Sequence, residues 1–320
     1  MKKLLYGLGA VVGITVVGIA GFLFYFLVIL PQDLPVPDLA VESTPQRIER
    51  GGYLANEVLG CMYCHSERDY AYFGGPVKPG TLGKGGEVFD ERVSVSGYLV
   101  AQNITPYNIG DWSDGELYRV IVSALHKDGY AVFPIMPSDA YRYLTEEDVY
   151  SIIAYLRTLA PIESDYSGRR ELSTLMTIIA NSRAIPAEPW DIDWNNQLQV
   201  GEYYALIGGC TFCHATVDER MQPIEGMALA GGMGLPMGDA LIRAANISAD
   251  LETGIGSWSE ADFIKRFTDY RDNNIPVADV GWNSPMAWPV YANIKEKDLA
   301  AIYAYIMTQP PVKHAVTIRN

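Results

Sequence analysis

The chain of 320 residues carries 38 acidic against 24 basic side chains, a formal charge of −14. That balance excludes a nucleic-acid binder, which needs clustered Lys and Arg, and it excludes docking on anionic lipid through a basic patch. At 49% hydrophobic and 19% charged residues the chain can build ordinary cores, and its length suggests two domains.

In chain order, residues 4–30 form an uncharged run of 27 residues, where a spanning helix needs about 20. A cleaved secretory signal has an apolar region of about 7–15 residues and a small-residue cleavage site. This run is about twice as long and ends in bulky Phe, Tyr, Leu and Ile, so 1–30 is expected to be a retained transmembrane anchor contacting the lipid bilayer through residues 4–30. Lys2 and Lys3 precede the run and the next basic residue is Arg47. The positive-inside bias therefore places the N-terminus in the cytoplasm and the rest outside the inner (cytoplasmic) membrane, in the periplasm. Gly9 and Gly13 make a GxxxG spacing, which is either a helix-packing face or the ordinary glycine content of a membrane helix. Residues 31–44, rich in proline and acid, read as a stiff spacer. Beyond the two N-terminal lysines the chain holds 38 acids and 22 bases, a net of −16. This spread of acid serves solubility or a docking face for a basic partner.

The remainder reads as a tandem duplication. GYLANEVLGCMYCH (52–65) matches GEYYALIGGCTFCH (201–214), with Gly52 and Gly201 each nine positions before the first Cys. NITPYNIGDWSDGEL (103–117) matches NISADLETGIGSWSEADF (246–263), and the stretch 136–161 matches 286–311. The expected organisation is a first domain at 45–160, a connector at 161–195, a second domain at 196–311 and a tail at 312–320. Each copy predicts a helix running into the Cys pair (45–60 and 197–209), a Gly/Pro/Met-rich loop and a short helix capped by Ser113 or Ser259. A last helix follows, at 145–159 and 295–308. The connector predicts one helix, at 171–182. No stretch alternates as a strand, so the fold class is mainly α with much coil.

CMYCH (61–65) and CTFCH (210–214) carry the chemistry. Two cysteines three apart at a helix end can each form a thioether to one vinyl group of a haem, and the adjacent histidine is then forced beneath the iron; this is the c-type haem attachment pattern. A thioredoxin-like pair does not need the His and sits on a strand–helix unit. A zinc site joining both sets would not require each to recur within its own copy. The reading is therefore two covalently bound c-type haems, held through Cys61, Cys64, Cys210 and Cys213, with His65 and His214 as axial ligands. For the sixth position, His126 and His314 have no counterparts in the other copy, whereas Met136 and Met286 are equivalent and sit in proline-bearing loops. His/Met ligation raises the reduction potential. Met227, Met233 and Met237 are rivals in the second copy. Trp112 and Trp258 either donate an indole N–H to a propionate or fill core. Tyr155 and Tyr305 are expected where the last helix crosses the first, near Gly52 and Gly201. Tyr63 and Phe212 are expected as pocket walls.

These motifs, the two loop methionines and the closing helices make the chain resemble a tandem class I-type cytochrome c with a membrane anchor, over about residues 45–311. The NIT…IG.W and MP…YLTEEDVYSIIAYLRTL stretches further resemble the cytochrome subunits of membrane-bound alcohol and aldehyde dehydrogenases and related respiratory dihaem cytochromes. Those dehydrogenase subunits usually carry three haem motifs; this chain has two. The resemblance implies an iron-centred all-α domain in each copy, one-electron chemistry and redox protein partners. The expected function is a membrane-anchored dihaem electron relay, a subunit of a respiratory or dehydrogenase complex rather than an enzyme by itself. The rival is a dihaem peroxidase or thiosulfate-type oxidase with one open haem site.

Overall fold

The computed structural model describes all residues except 1, 31–33, 94, 167, 169, 220, 221, 239 and 320. Parts of the expected anchor, spacer, connector and tail therefore lie outside the described residues. In chain order the helices are α1 (Lys2–Phe24, continued by a π-helical turn Tyr25–Ile29), α2 (Pro45–Tyr53, continued by a π-helical turn Leu54–Val58), α3 (Cys61–Cys64), α4 (Pro106–Ile109) and α5 (Asp114–Ser123). They continue as α6 (Ser138–Tyr141), α7 (Glu146–Thr158), α8 (Thr174–Ser182), α9 (Gln197–Ile207) and α10 (Cys210–Cys213). The last four are α11 (Glu260–Thr268), α12 (Val277–Val280), α13 (Trp288–Tyr291) and α14 (Glu296–Thr308). The molecule is mostly helical, as the sequence indicates.

Side-chain caps fix the starts of six of these helices. Ser113 and Glu116 form a reciprocal capping box on α5, and Ser259 and Asp262 form another on α11. Thr145 accepts from the Asp148 amide at the start of α7, and Asn196 caps α9. The absence of strands in the sequence reading is corrected: β1 (Val88–Phe89), β2 (Gly97–Val100) and β3 (Arg170–Leu172) form one small sheet, and β4 (Gly234–Met237) and β5 (Ala240–Arg243) a hairpin. None exceeds four residues, too short for period-two alternation to be visible, and β4 reads GLPM, a loop composition.

The chain forms two compact units. One gathers Met1–Ala40, Trp112–Arg142 and Leu172–Glu188; the other gathers Val41–Asp111, Tyr143–Glu171 and Pro189–Asn320. In the first, one helix, Leu5–Ile29, is long and apolar enough to cross a membrane, with mean hydropathy 2.5. Arg119 donates to the Leu34 carbonyl, and a Cβ on Gly115 would stand 1.9 Å from the Pro37 carbonyl, so α5 packs directly on the extended spacer.

The second unit is built on two helix pairs, α2 with α7 and α9 with α14. Each pair crosses at a glycine so closely that a Cβ would sit 1.9 Å from the opposing backbone carbonyl: Gly51 on Ser151, and Gly201 on Ala301. The crossing glycine of the first pair is thus Gly51, one residue before the Gly52 that the Cys-based alignment matches with Gly201. The π-helical turn Leu54–Val58 absorbs the extra residue, so both helices deliver their Cys pair from the same crossing point.

With that register Tyr53 corresponds to Tyr203, and the two tyrosines make reciprocal contacts. Tyr53 donates to Asp298 at 2.7 Å and accepts from the Lys295 amide; Tyr203 donates to Asp148 at 2.7 Å and accepts from the Thr145 amide. Each tyrosine on a first helix caps the last helix of the other pair. Asp148, 2% exposed, is also held bidentately by Arg50 at 2.8 Å from both guanidinium nitrogens.

Candidate haem-binding site

α2 and α9 each end before a left-handed glycine, Gly60 (φ 67°) and Gly209 (φ 78°), which starts the one-turn helix carrying the cysteines. An L side chain is strained at such φ, so glycine is needed wherever the chain must redirect the helix. The four cysteines are half-buried and not joined to one another. Burial pushes the Cys61 and Cys210 thiols up to about 12 and the Cys213 thiol up to about 11. A reactive redox thiol sits at a lowered pKa, whereas burial raises these. Among the described residues no group of three or more His, Cys, Asp or Glu comes together as a metal set. That disfavours a shared zinc site.

Both histidines have the same surroundings. His65 Nδ1 lies 2.8 Å from the Gln102 carbonyl, and His214 Nδ1 lies 2.8 Å from the Ala245 carbonyl. A carbonyl can only accept, so Nδ1 carries the proton and Nε2 keeps its lone pair for a metal. Burial lowers the pKa of both imidazoles, which keeps them neutral. The histidine carbonyls are also matched, accepting from Gly85 N–H and Gly231 N–H respectively. Cysteine thiols for tethering and a neutral imidazole with a free Nε2 are the donor set a c-type haem requires, and the residues present fit that group.

The two acceptor carbonyls were not legible as functional atoms, but the sequence had marked their neighbours. Asn103 follows Gln102 and Asn246 follows Ala245. Asn103 donates to the Ile162 carbonyl and Asn246 to the Val312 carbonyl, at 2.7 and 2.8 Å. Each side-chain oxygen accepts from a backbone N–H two residues on, at Thr105 and Ser248. The paired asparagines hold the loop that presents the carbonyl to the histidine.

The methionine loops share a local conformation. Met136 precedes Pro137 (φ −78°, ψ 53°) and Met286 precedes Ala287 (φ −76°, ψ 55°). In each, the methionine carbonyl accepts from the N–H two residues on, an inverse γ-turn that opens α6 or α13. Met286 lies in the same unit as His65 and His214; Met136 lies in the other. Trp112, 3% exposed, sets its ring edge-on to His126, which stacks on Tyr130. Trp258 is half-buried and its carbonyl accepts from Tyr303. Tyr155 packs on Gly51 and Gly52 with its hydroxyl accepting from Asn56, and Tyr305 packs on Gly201, as expected for the crossings. Tyr63 is buried, under the Arg68 guanidinium, whereas Phe212 is 59% exposed.

The backbones that lead into the two Cys-x-x-Cys-His segments come close together. A Cβ on Gly208 would lie 3.6 Å from the Val58 carbonyl, and one on Gly60 would lie 3.9 Å from Val290. Tyr291 donates to the Gly208 carbonyl at 2.8 Å and lies within electrostatic reach of Cys64, Cys210 and Cys213. Sequence reasoning missed Tyr291; its position five residues after Met286 gave no chemical signal.

Among known proteins, the chain is 27% identical over 282 residues to the fructose dehydrogenase cytochrome subunit of Gluconobacter japonicus, covering 82% of this chain and 52% of that protein. It is 27% identical over 296 residues to the alcohol dehydrogenase (quinone) cytochrome c subunit of Gluconobacter oxydans, covering 85% of this chain and 57% of that protein. Over 115 residues it is 30% identical to a dihaem cytochrome c-type protein of Cereibacter sphaeroides, covering 36% of this chain and 37% of that protein. No family model matches the chain. The chain spans between half and three fifths of the length of the dehydrogenase subunits it matches. Over most of its length it is similar to cytochrome c subunits of dehydrogenases.

Proposed function

We propose that the chain is a membrane-anchored dihaem cytochrome that relays single electrons outside the cytoplasmic membrane, from the catalytic subunit of a dehydrogenase complex toward the respiratory chain. The observation that carries this reading is that two Cys-x-x-Cys-His segments are built alike, each histidine Nδ1 2.8 Å from a backbone carbonyl, with the backbones just before them, at Val58 and Gly208, close together. A covalently bound c-type haem supplies one-electron exchange at its iron.

This chain's residues provide the rest. Cys61 and Cys64 would tether the first haem, with His65 oriented by Gln102; Cys210 and Cys213 would tether the second, with His214 oriented by Ala245. Met136 and Met286, in turns of one geometry, would be the methionine ligands. Under this reading residues 45–160 and 196–311 are two copies of one haem domain, joined by the connector. Residues 4–30 anchor them, with the N-terminus in the cytoplasm and the haem domains in the periplasm.

The test is haem stoichiometry followed by titration. Haem staining after denaturation and a pyridine haemochrome assay are expected to give two covalent haems per chain. Cys61→Ala with Cys64→Ala should retain one. Optical redox titration should then resolve two one-electron, low-spin, high-potential couples. A high-spin haem or a strongly negative couple would refute the relay.

A further inference from the structure

We propose that α8 is a membrane-surface helix whose apolar face seats in the outer edge of the bilayer beside α1. The inference rests on reading residues 4–30 as a spanning anchor. Asn181, 3% exposed and in the last turn of α8, donates to the Phe26 carbonyl at 2.8 Å. Phe26 stands 22 residues after Leu4. At 1.5 Å per residue that is roughly 33 Å along the helix, close to the ~30 Å thickness of a hydrocarbon core. The Phe26 carbonyl therefore lies near the outer boundary of the core, and Asn181 is fixed at that depth. Tyr25 beside it is the kind of amphipathic ring that marks such a boundary.

The composition of α8 matches this location. TLMTIIANS holds no charged residue. Leu175 is 61% exposed, and Met176, Ile178 and Ile179 are half-buried. Leu175 precedes Asn181 by six residues, roughly 9 Å along the helix, so it stays within the interfacial zone whichever way α8 runs across the anchor. An uncharged helix continuous with the lipid-exposed surface of α1 fits acyl chains and glycerol backbones. The charged residue, Arg183, follows the helix and pairs with Asp139 at 2.7 Å. α8 would then fix the height at which this unit rides on the membrane, which a stiff spacer alone does not do.

The experiment uses the full-length, haem-loaded protein in vesicles of phosphatidylethanolamine and phosphatidylglycerol, doped with a phosphatidylcholine bearing a diazirine on its acyl chain. After illumination and trypsin digestion, the peptide 171–183, bounded by Arg170 and Arg183, is examined by mass spectrometry for lipid adducts. Adducts on that peptide as well as on the anchor are expected, and Leu175→Glu should lower the α8 yield several-fold with the anchor yield unchanged. Adducts on the anchor alone would overturn the proposal and leave the anchor standing; a protein subunit covering α8 gives that result. Adducts on neither would overturn both. An α8 yield unaffected by Leu175→Glu would overturn the assignment of this face.

Discussion

Under the proposed dihaem reading, the bond from each histidine Nδ1 to a backbone carbonyl makes the loop behind it part of the haem site. Asn103→Ala or Asn246→Ala removes the side chain that pins that loop. Each change is expected to cost about 1–3 kcal/mol of stability and to shift the potential of one haem while leaving the other in place. Paired redox titrations and denaturant melts check this. A second residue-scale effect concerns alkali. Burial pushes the Tyr204 phenol up to about 12, against about 10 in an unfolded chain. The folded state holds this proton more tightly, so the stabilisation is complete below pH 10 and is lost as pH rises toward 12. Tyr204→Phe is expected to flatten the loss of stability between pH 10 and 12 by one tyrosine's share, seen in melts across that range.

Helices crossing at a glycine leave no space for a methyl group. Gly51→Ala and Gly201→Ala each put a Cβ against a backbone carbonyl that cannot rotate away. Each is expected to cost about 3 kcal/mol, read as a fall in Tm. The π-helical turn gives a sharper test. Deleting Glu57 from Leu54–Val58 should convert the turn to regular α-helix with Gly51 and Cys61 still in register, so the chain keeps both haems. Deleting Leu206 from α9, which has no spare residue, should rotate the second Cys pair by about 100° and abolish the second haem. Haem content after expression separates the two outcomes. Much at this scale was legible beforehand. Ser113, Ser259 and Thr145 announced helix starts through oxygen caps followed by acids, and the last helices showed their apolar stripes. The π-turn was not legible, because one surplus residue in a helix leaves no mark on composition and shifts the alignment by a single place. The short strands escaped for want of length, and the Gln102 and Ala245 carbonyls because a backbone atom has no letter in a sequence.

At the scale of the whole molecule the acidic balance sets how partners approach. With 22 bases against 38 acids beyond the N-terminal lysines, a basic redox partner is expected to be steered in. Stopped-flow reduction of a small basic cytochrome should slow steeply as ionic strength rises past about 0.1 M, where the screening length falls to about 10 Å. A rate insensitive to salt would show that the charge serves solubility alone.

The reciprocal clasp of Tyr53 on Asp298 and Tyr203 on Asp148 has a consequence for biogenesis. Once both tyrosines dock, the helices that lead into the cysteine segments are locked to one another, with the four thiols half-buried. Under the proposed dihaem reading, both cofactors must be ligated while the chain is still open, and closing the clasp becomes the last step of maturation. Under that reading the order of assembly, and not only its endpoint, depends on which helix each tyrosine reaches.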